Sequence, residues 1–173
     1  MKYVFEREFD KEKNIVRING KAAIGHCQYY NTLILKTMES FGYVDGLKIY
    51  EEVAEEANRE AFSDYLKNHP EVVSLDDKLS VASDMYRTFG FGLIEFSDVD
   101  EKGAKVVAPV SHFALTWKKR WGKRSAPICY FTKGYIAAVL SAIFDKPFGS
   151  YEVKELDCIS MGDRICRFEV RRI

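Results

Sequence analysis

The chain has 173 residues, of which 47% are hydrophobic, 14% aromatic and 30% charged, and its 26 basic residues balance 26 acidic ones. This length can bury a hydrophobic core without a disulfide staple. The balanced charge argues against a nucleic-acid-binding protein, and no stretch reaches the roughly eighteen apolar residues that a membrane span needs. The charged, alternating N-terminus lacks the apolar segment of a secretory signal. We therefore expect one cytoplasmic domain over residues 1–173, with no nucleic acid and no membrane span.

The first half of the chain predicts strands followed by helices. Alternating apolar and polar residues predict a strand over Tyr3–Phe9, which continues at Ile15–Ile18 after a polar turn. Helical spacing begins near His26 and breaks near Gly42. A second amphipathic helix is predicted for about Gly46–Leu66, and a third is predicted between the capping residue Ser74 and Gly90.

The second half predicts two strands, two helices and a hairpin. The strands cover 91–97 and 104–110, and aromatic residues four apart favour a short helix over 111–121. Ser125 is predicted to cap a helix over Ile128–Phe144 that is apolar nearly all round, and a hairpin with a short turn follows over 151–170. We therefore predict an α+β fold, with a mainly antiparallel sheet, packed helices and a C-terminal β-hairpin in a single domain. Residues 1–108 would supply the N-terminal strands and helices, and 109–173 the part that bears the motifs.

Two cysteines of the predicted hairpin suggest a metal site. Centring the turn on Gly162 places Cys158 opposite Cys166, with Cβ atoms about 4.5–5.5 Å apart. In the reducing cytoplasm such a pair holds a metal more often than it forms a disulfide. Cys129 is a third candidate ligand, because the dipole at the start of its predicted helix would stabilise a thiolate.

The fourth zinc ligand stays open between three acidic residues. Zinc takes four ligands from Cys, His and carboxylate, and Glu155, Glu152 and Asp157 all precede Cys158. On a regular strand Glu155 and Cys158 would point to opposite faces, so Glu155 requires a bulge to join the cluster. The alternative is that the cysteines are small buried hydrophobic residues without a metal.

Aromatic and histidine residues indicate a ligand pocket. His112 lies beside Phe113 and near Trp117, and pockets for small molecules are mostly apolar with a few polar groups. His26 and Tyr30 lie together at the start of the first predicted helix, and they are further candidates for this pocket. His26 could also pair with Cys27 as a nucleophile, but adjacent helical residues do not face each other. We therefore predict no catalytic residue.

The motifs resemble those of a known family. Pro127-Ile-Cys-Tyr-Phe-x-x-Gly-Tyr, Ala137-Ala-Val-Leu-Ser-Ala-Ile-Phe and Glu155-x-x-Cys-x-x-Met-Gly-Asp-x-x-Cys-x-Phe are similar to sequences of the 4-vinyl reductase domain family, whose members include hydrocarbon-binding and aromatic-binding sensor domains. The resemblance covers about 109–170. In phenol-sensing members a structural zinc is held at the motif positions that match Cys129, Glu155, Cys158 and Cys166. Similar folds occur in subunits of the TRAPP vesicle-tethering complex, which bind partner proteins.

The resemblance implies a zinc-stabilised domain that binds a small hydrophobic or aromatic molecule without catalysis. We expect a homodimer with a sensory or regulatory role, which passes its signal to a partner protein. The zinc would pin the last helix to the hairpin and form one wall of the pocket. The alternatives are an enzyme acting on a hydrophobic or tetrapyrrole-like substrate and a protein–protein adaptor.

Overall fold

A computed structural model describes residues 2–173 of the chain. It contains seven strands: β1 (Arg7–Asp10), β2 (Ile15–Ile18), β3 (Lys21–Ala23), β4 (Gly92–Asp100), β5 (Gly103–Ser111), β6 (Tyr151–Asp157) and β7 (Cys166–Arg172). It contains five α-helices: α1 (Gln28–Glu39), α2 (Gly46–Asn68), α3 (Leu75–Thr88), α4 (His112–Trp121) and α5 (Tyr130–Ile143). A single 3-10 turn covers Ile159–Met161. None of the helices in this described part is both long and apolar enough to cross a membrane.

The strands form two antiparallel sheets. The N-terminal sheet has the order β1-β2-β3, and the C-terminal sheet has the order β4-β5-β7-β6. Sequential strands pair directly except where β7 inserts between β5 and β6. The predicted α+β class, with an antiparallel sheet, packed helices and a C-terminal strand pair, is confirmed.

Helix α5 is the centre of the core, as its apolar sequence predicts. It packs against α2 and β6, and most of its side chains are buried. The crossing with α2 depends on Gly134, where an added Cβ would lie 2.3 Å from the Glu51 carbonyl oxygen and 2.9 Å from the Ala54 Cβ. Lys133, beside this glycine, forms an ion pair with Glu51 across the same crossing. The two helices therefore pack closely because residue 134 has no side chain.

The N-terminal sheet is held to the helices by a few specific contacts. The Tyr3 amide donates to Asp84 Oδ2 at 2.9 Å, and the Val4 amide donates to the Tyr65 hydroxyl at 2.9 Å. The rings of Tyr3 and Tyr65 lie 4.9 Å apart, and Lys21 pairs with acidic residues of α2. These contacts also explain why the predicted strand over Tyr3–Phe9 begins only at Arg7. The Tyr3 and Val4 amides bind helix side chains, and the Glu6 amide donates to Asn19 Oδ1 instead of to a strand carbonyl.

Two predicted boundaries in the C-terminal half are wrong. Ser125 does not cap α5, because the helix begins at Tyr130 and Cys129 occupies the N-cap position. The connection between β6 and β7 covers residues 158–165 and is longer than the predicted short turn. Its backbone folds back on itself, since the Cys158 carbonyl accepts hydrogen bonds from Met161 N at 2.8 Å and Asp163 N at 3.3 Å.

Candidate metal centre and ligand cleft

Three elements bring the four predicted metal ligands together. Cys129 is the N-cap of α5, Glu155 lies in β6, and Cys158 and Cys166 flank the connection between β6 and β7. The pairing of β6 with β7 shifts between Glu155 and Asp157, which is the bulge that the sequence required. This extra residue turns the Glu155 side chain to the same side as Cys158.

The two other acidic candidates lie elsewhere. Glu152 is exposed on the opposite face of β6, where the alternation of the strand places it. Asp157 forms an ion pair with Arg167 on β7. The structure therefore brings Glu155, and neither Glu152 nor Asp157, to the cysteines.

The distances within the cluster fit a tetrahedral zinc site. The Cys129 sulfur lies 3.9 Å from that of Cys158 and 3.7 Å from that of Cys166, and the last two are 3.9 Å apart. Zinc–sulfur bonds of about 2.3 Å in tetrahedral geometry require sulfurs about 3.8 Å apart. One ligand atom from each cysteine and from Glu155 lies within 4.8 Å of all the others. The donor set and its spacing therefore suit zinc.

Polar groups around the cluster can stabilise its thiolates. The Ser160 hydroxyl lies 3.0 Å from the Cys158 sulfur, and the Ile159 amide donates to the Cys166 sulfur at 3.4 Å. Groups that hydrogen-bond to metal ligands orient them and tune the metal. These two contacts come from the 3-10 turn, so the longer connection supplies donors that a short turn would lack.

Glu155 is buried with one oxygen paired and one spare. Its Oε2 accepts a hydrogen bond from the Cys129 amide at 3.0 Å, and its Oε1 has no hydrogen-bond partner among residues 2–173. Burial raises the pKa of Glu155 to about 9 and also raises the pKa of the Cys129 thiol. Ionised acids buried in contact repel one another, and a bound cation removes that repulsion. The spare carboxylate oxygen is therefore a suitable metal ligand.

A cleft of about 570 Å³ lies between the N-terminal sheet and a wall of aromatic rings. Phe91 and Phe131 form the centre of this wall, with ring centroids 4.4 Å apart, and Phe113 lies 5.3 Å from Phe131. The aromatic lining comprises Phe5, Tyr50, Phe89, Phe91, Phe113 and Phe131. His26 also lines the cleft, whereas the cluster cysteines do not. The last helix, α5, thus contributes Phe131 to the cleft, while Cys129 at its start lies outside the lining.

His112 lies directly behind the aromatic wall. Its ring is 3.7 Å from the ring of Phe113 and 5.7 Å from that of Phe91. Nδ1 lies 3.4 Å from the Phe91 carbonyl oxygen, and Nε2 is buried without a hydrogen-bond partner in the described residues. Burial lowers the pKa of His112 to about 4, so the ring is neutral at pH 7.

Neither of the two remaining predicted pocket residues, Trp117 and Tyr30, lines the cleft. Trp117 is buried beneath the guanidinium of Arg124, which lies 4.3 Å from its ring, and it does not line the cleft. The ring of Tyr30 is half exposed and makes an edge contact with the ring of His26, with centroids 4.6 Å apart. Cys27 caps α1, with its sulfur accepting a hydrogen bond from the Tyr30 amide at 3.4 Å.

Sequence analysis missed most of the aromatic wall. Phe91 follows Gly90, the predicted end of the third helix, and it is the first residue of the strand predicted over 91–97, so its pattern indicates no pocket. Phe131 is part of the family motif itself, two residues after Cys129, so its position could have been noticed. Tyr50 lies in the predicted second helix, and an amphipathic pattern alone does not distinguish a pocket residue from a core residue.

Ser111 connects the cluster of three cysteines and Glu155 to the cleft. Its hydroxyl lies 3.3 Å from the Cys129 sulfur and accepts a hydrogen bond from the Ala114 amide at 3.4 Å, as the N-cap of α4. The next residue is His112. The cluster and the aromatic wall are thus joined through one helix cap.

Part of the motif-bearing segment matches the model of a known family. Residues 118–172 match the family model of the V4R domain. The uncharacterized protein MJ1460 of Methanocaldococcus jannaschii is 30% identical over 86 residues, which are 48% of this chain and 51% of that protein. The match therefore spans about half the length of this curated relative.

Three solved structures share the fold. The phenol-responsive sensory domain of the transcription activator PoxR, solved with phenol, has a TM-score of 0.79 at 14% identity, covering 96% of this chain and 84% of its own. A vinyl-4-reductase family protein of Methanocaldococcus jannaschii has a TM-score of 0.53 at 18% identity, with coverages of 83% and 77%. Trafficking protein particle complex subunit 3 of Naegleria fowleri, covalently bound to palmitic acid, has a TM-score of 0.55 at 12% identity, with coverages of 83% and 90%. The predicted resemblance is thus confirmed, and the segment from the end of α4 through the C-terminal strands is a match to the V4R domain.

Proposed function

We propose that this chain is a zinc-stabilised domain that binds a small apolar or aromatic molecule and has a sensory or regulatory role. The observation that carries the proposal is the aromatic cleft of about 570 Å³ beneath the N-terminal sheet. Cavities of roughly 300–1,000 Å³ with apolar walls and few polar groups are typical of small-molecule sites. The phenol-responsive domain with the same fold, solved with phenol, supports this interpretation.

His112 does not line the cleft itself, and it is the proposed polar anchor because it lies directly behind the aromatic wall. If Nδ1 carries the proton and donates to the Phe91 carbonyl, Nε2 is left as a hydrogen-bond acceptor. A buried acceptor without a partner favours a ligand that brings a hydroxyl group. Phe113 and His26, which line the cleft, are the other predicted residues that we assign to ligand binding.

Cys129, Glu155, Cys158 and Cys166 are the proposed zinc ligands. A closed set of four protein ligands is typical of a structural ion, which would clamp α5 to the β6–β7 connection. Through the contact between Ser111 and Cys129, the same clamp would fix the start of α4 and hence His112. The homodimer and the partner that receives the signal stay predictions of the sequence.

Two glycine variants test the cleft. An added Cβ meets nothing within 4 Å at either Gly25, which lines the cleft, or Gly42, which does not. Gly25→Trp should therefore fill the cleft and weaken binding of phenol or octanol at least about tenfold, whereas Gly42→Trp should leave it unchanged. Isothermal titration calorimetry measures both affinities. Wild-type protein that binds neither compound, or equal affinities in wild type and Gly25→Trp, would contradict the proposal.

A further inference from the structure

We infer that the ligand of the aromatic cleft is an amphipathic anion, with an apolar body and one carboxylate group that Arg7 binds. This inference rests on the proposed function and adds the charge of the ligand to it. Arg7 is the one permanently charged residue lining the cleft, and the described lining contains no Asp or Glu. A cationic group beside an apolar cavity is complementary to an apolar molecule with an anionic end.

The guanidinium of Arg7 is free to take such a partner. Within residues 2–173 it makes no ion pair, side-chain hydrogen bond or contact with an aromatic ring, and Arg164, on the exposed connection between β6 and β7, is the only other arginine of which this is true. The other arginines bind carboxylates, carbonyl oxygens or an aromatic ring: Arg17, Arg59, Arg87, Arg120, Arg124, Arg167, Arg171 and Arg172. Guanidinium groups bind carboxylates through two parallel hydrogen bonds, which makes Arg7 a suitable anchor.

The shape of the cavity gives the orientation of the ligand. A second cavity of about 470 Å³ under the same sheet shares Ile18, Ala23 and Phe89 with the aromatic cleft, so the two cavities lie next to each other, and this second cavity is the far end. The far end also has a cation, Lys21, but Glu60 and Asp64 neutralise it at 3.1 and 2.7 Å.

The far end would repel a carboxylate. Glu6 and Asp64 both line it, whereas the end at Arg7 contains no acid. The carboxylate would therefore lie at Arg7, with the apolar body along Phe89 and the aromatic wall.

Matched ligands and matched variants test this assignment. Octanoate and octanol have the same apolar chain and differ in the charge of the head group. We expect Arg7→Gln to weaken octanoate binding about fivefold or more and to leave octanol binding unchanged, because only the carboxylate pairs with the guanidinium. Arg164→Gln is the control, since it removes an equally unpaired arginine from the exposed loop. Calorimetry at low and high salt should show the octanoate preference shrink with salt.

The outcomes separate the inference from the proposed function. Selective loss of octanoate affinity in Arg7→Gln alone supports the assignment. Octanoate and octanol binding that respond equally to Arg7→Gln, or not at all, overturns it and leaves the apolar cleft in place. If neither compound binds to wild-type protein, the proposed function fails and the inference fails with it.

Discussion

The C-terminal sheet and the N-terminal sheet of this chain differ in how they are stabilised. Strand β6 alternates strictly between buried and exposed residues, and it ends in a cluster where three sulfurs lie within 3.9 Å of one another. Strand β1 has no buried residue. Its sheet is tied to α2 by ion pairs of Lys21, and the segment before β1 is tied to α2 and α3 by two hydrogen bonds and the packing of Tyr3 on Tyr65. The firmly packed region contains the family motifs, and the weakly held region covers the cleft.

This difference suggests that one region fixes the shape of the cleft and the other opens to admit the ligand. Elements that admit ligands come from the least stable parts of a protein, since they must open without global unfolding. The metal cluster and α5 would supply a fixed frame for the aromatic wall. The N-terminal sheet would then act as the movable cover of the cleft. Changes in the two regions should therefore have effects of different size and kind.

Removing one sulfur from the cluster should have the largest effect. Cys166→Ser replaces a fully buried ligand with a weaker one, so we expect loss of bound zinc and a loss of stability of more than about 3 kcal/mol, since binding of structural zinc is coupled to folding. Elemental analysis and thermal unfolding measure the two quantities.

Cys27→Ser is the matched control for this change. Cys27 is exposed and lies outside the cluster, so this variant should keep its zinc and its melting temperature. A wild-type protein that contains no zinc after purification, and that unfolds at the same temperature as Cys166→Ser, would contradict the proposal that zinc stabilises the C-terminal region.

The crossing of α2 and α5 should give the next largest effect. Gly134→Ala would place a Cβ 2.3 Å from the Glu51 carbonyl oxygen, so we expect a loss of about 2 kcal/mol from displacement of the helices. Gly42→Ala is the control, because a Cβ there meets nothing within 4 Å. Chemical denaturation of the two variants measures the difference. Equal stabilities would show that the crossing can relax freely.

The metal-bearing region could be predicted from the sequence to a large extent. The turn centred on Gly162 paired Cys158 with Cys166, whereas only the family resemblance selected Glu155 from the three acidic candidates. The need for a bulge at Glu155 followed from strand alternation alone. The N-cap position of Cys129 was missed, because the hydrogen bond that its amide donates to Glu155, 26 residues further along the chain, is not visible in local spacing.

The cleft could be predicted only in part. Its aromatic residues come from the N-terminal segment, from α2, from the two sides of Gly90, and from the starts of α4 and α5. No periodic pattern connects such distant residues, so their association depends on the tertiary fold. Trp117 is an aromatic residue of the kind expected in a pocket, but it is packed beneath Arg124, outside the cleft.

Lowering the pH should decrease the stability of the folded protein through protonation of His112. Its pKa falls from 6.5 to about 4 in the folded protein because the ring is buried, so the unfolded chain binds a proton first as the pH decreases. Stability is therefore complete above pH 6.5 and decreases from there towards pH 4, by about 1 kcal/mol between pH 7 and 5.5. His112→Gln should flatten this part of the curve.

Denaturation of both proteins at matched pH values, with zinc content checked at each, measures the contribution of His112. Equal slopes for wild type and His112→Gln would mean that the histidine is not held neutral in the folded state.

The smallest effect should distinguish the cover from the frame. Tyr65→Phe removes the acceptor of the Val4 amide, and Tyr151→Phe removes a similar hydroxyl, which donates to the Glu101 carbonyl oxygen at 3.1 Å beside the C-terminal sheet. Each change should cost about 1 kcal/mol or less of global stability. Because the N-terminal sheet has few other attachments, Tyr65→Phe should speed amide hydrogen exchange throughout β1–β3, whereas Tyr151→Phe should leave exchange there unchanged. Mass spectrometry of peptic fragments resolves the two regions, and uniform exchange in both variants would mean that the N-terminal sheet opens only with the whole fold.

A ligand that slows exchange in β1–β3 more than in β4–β7 would identify the sheet as the cover of the occupied cleft.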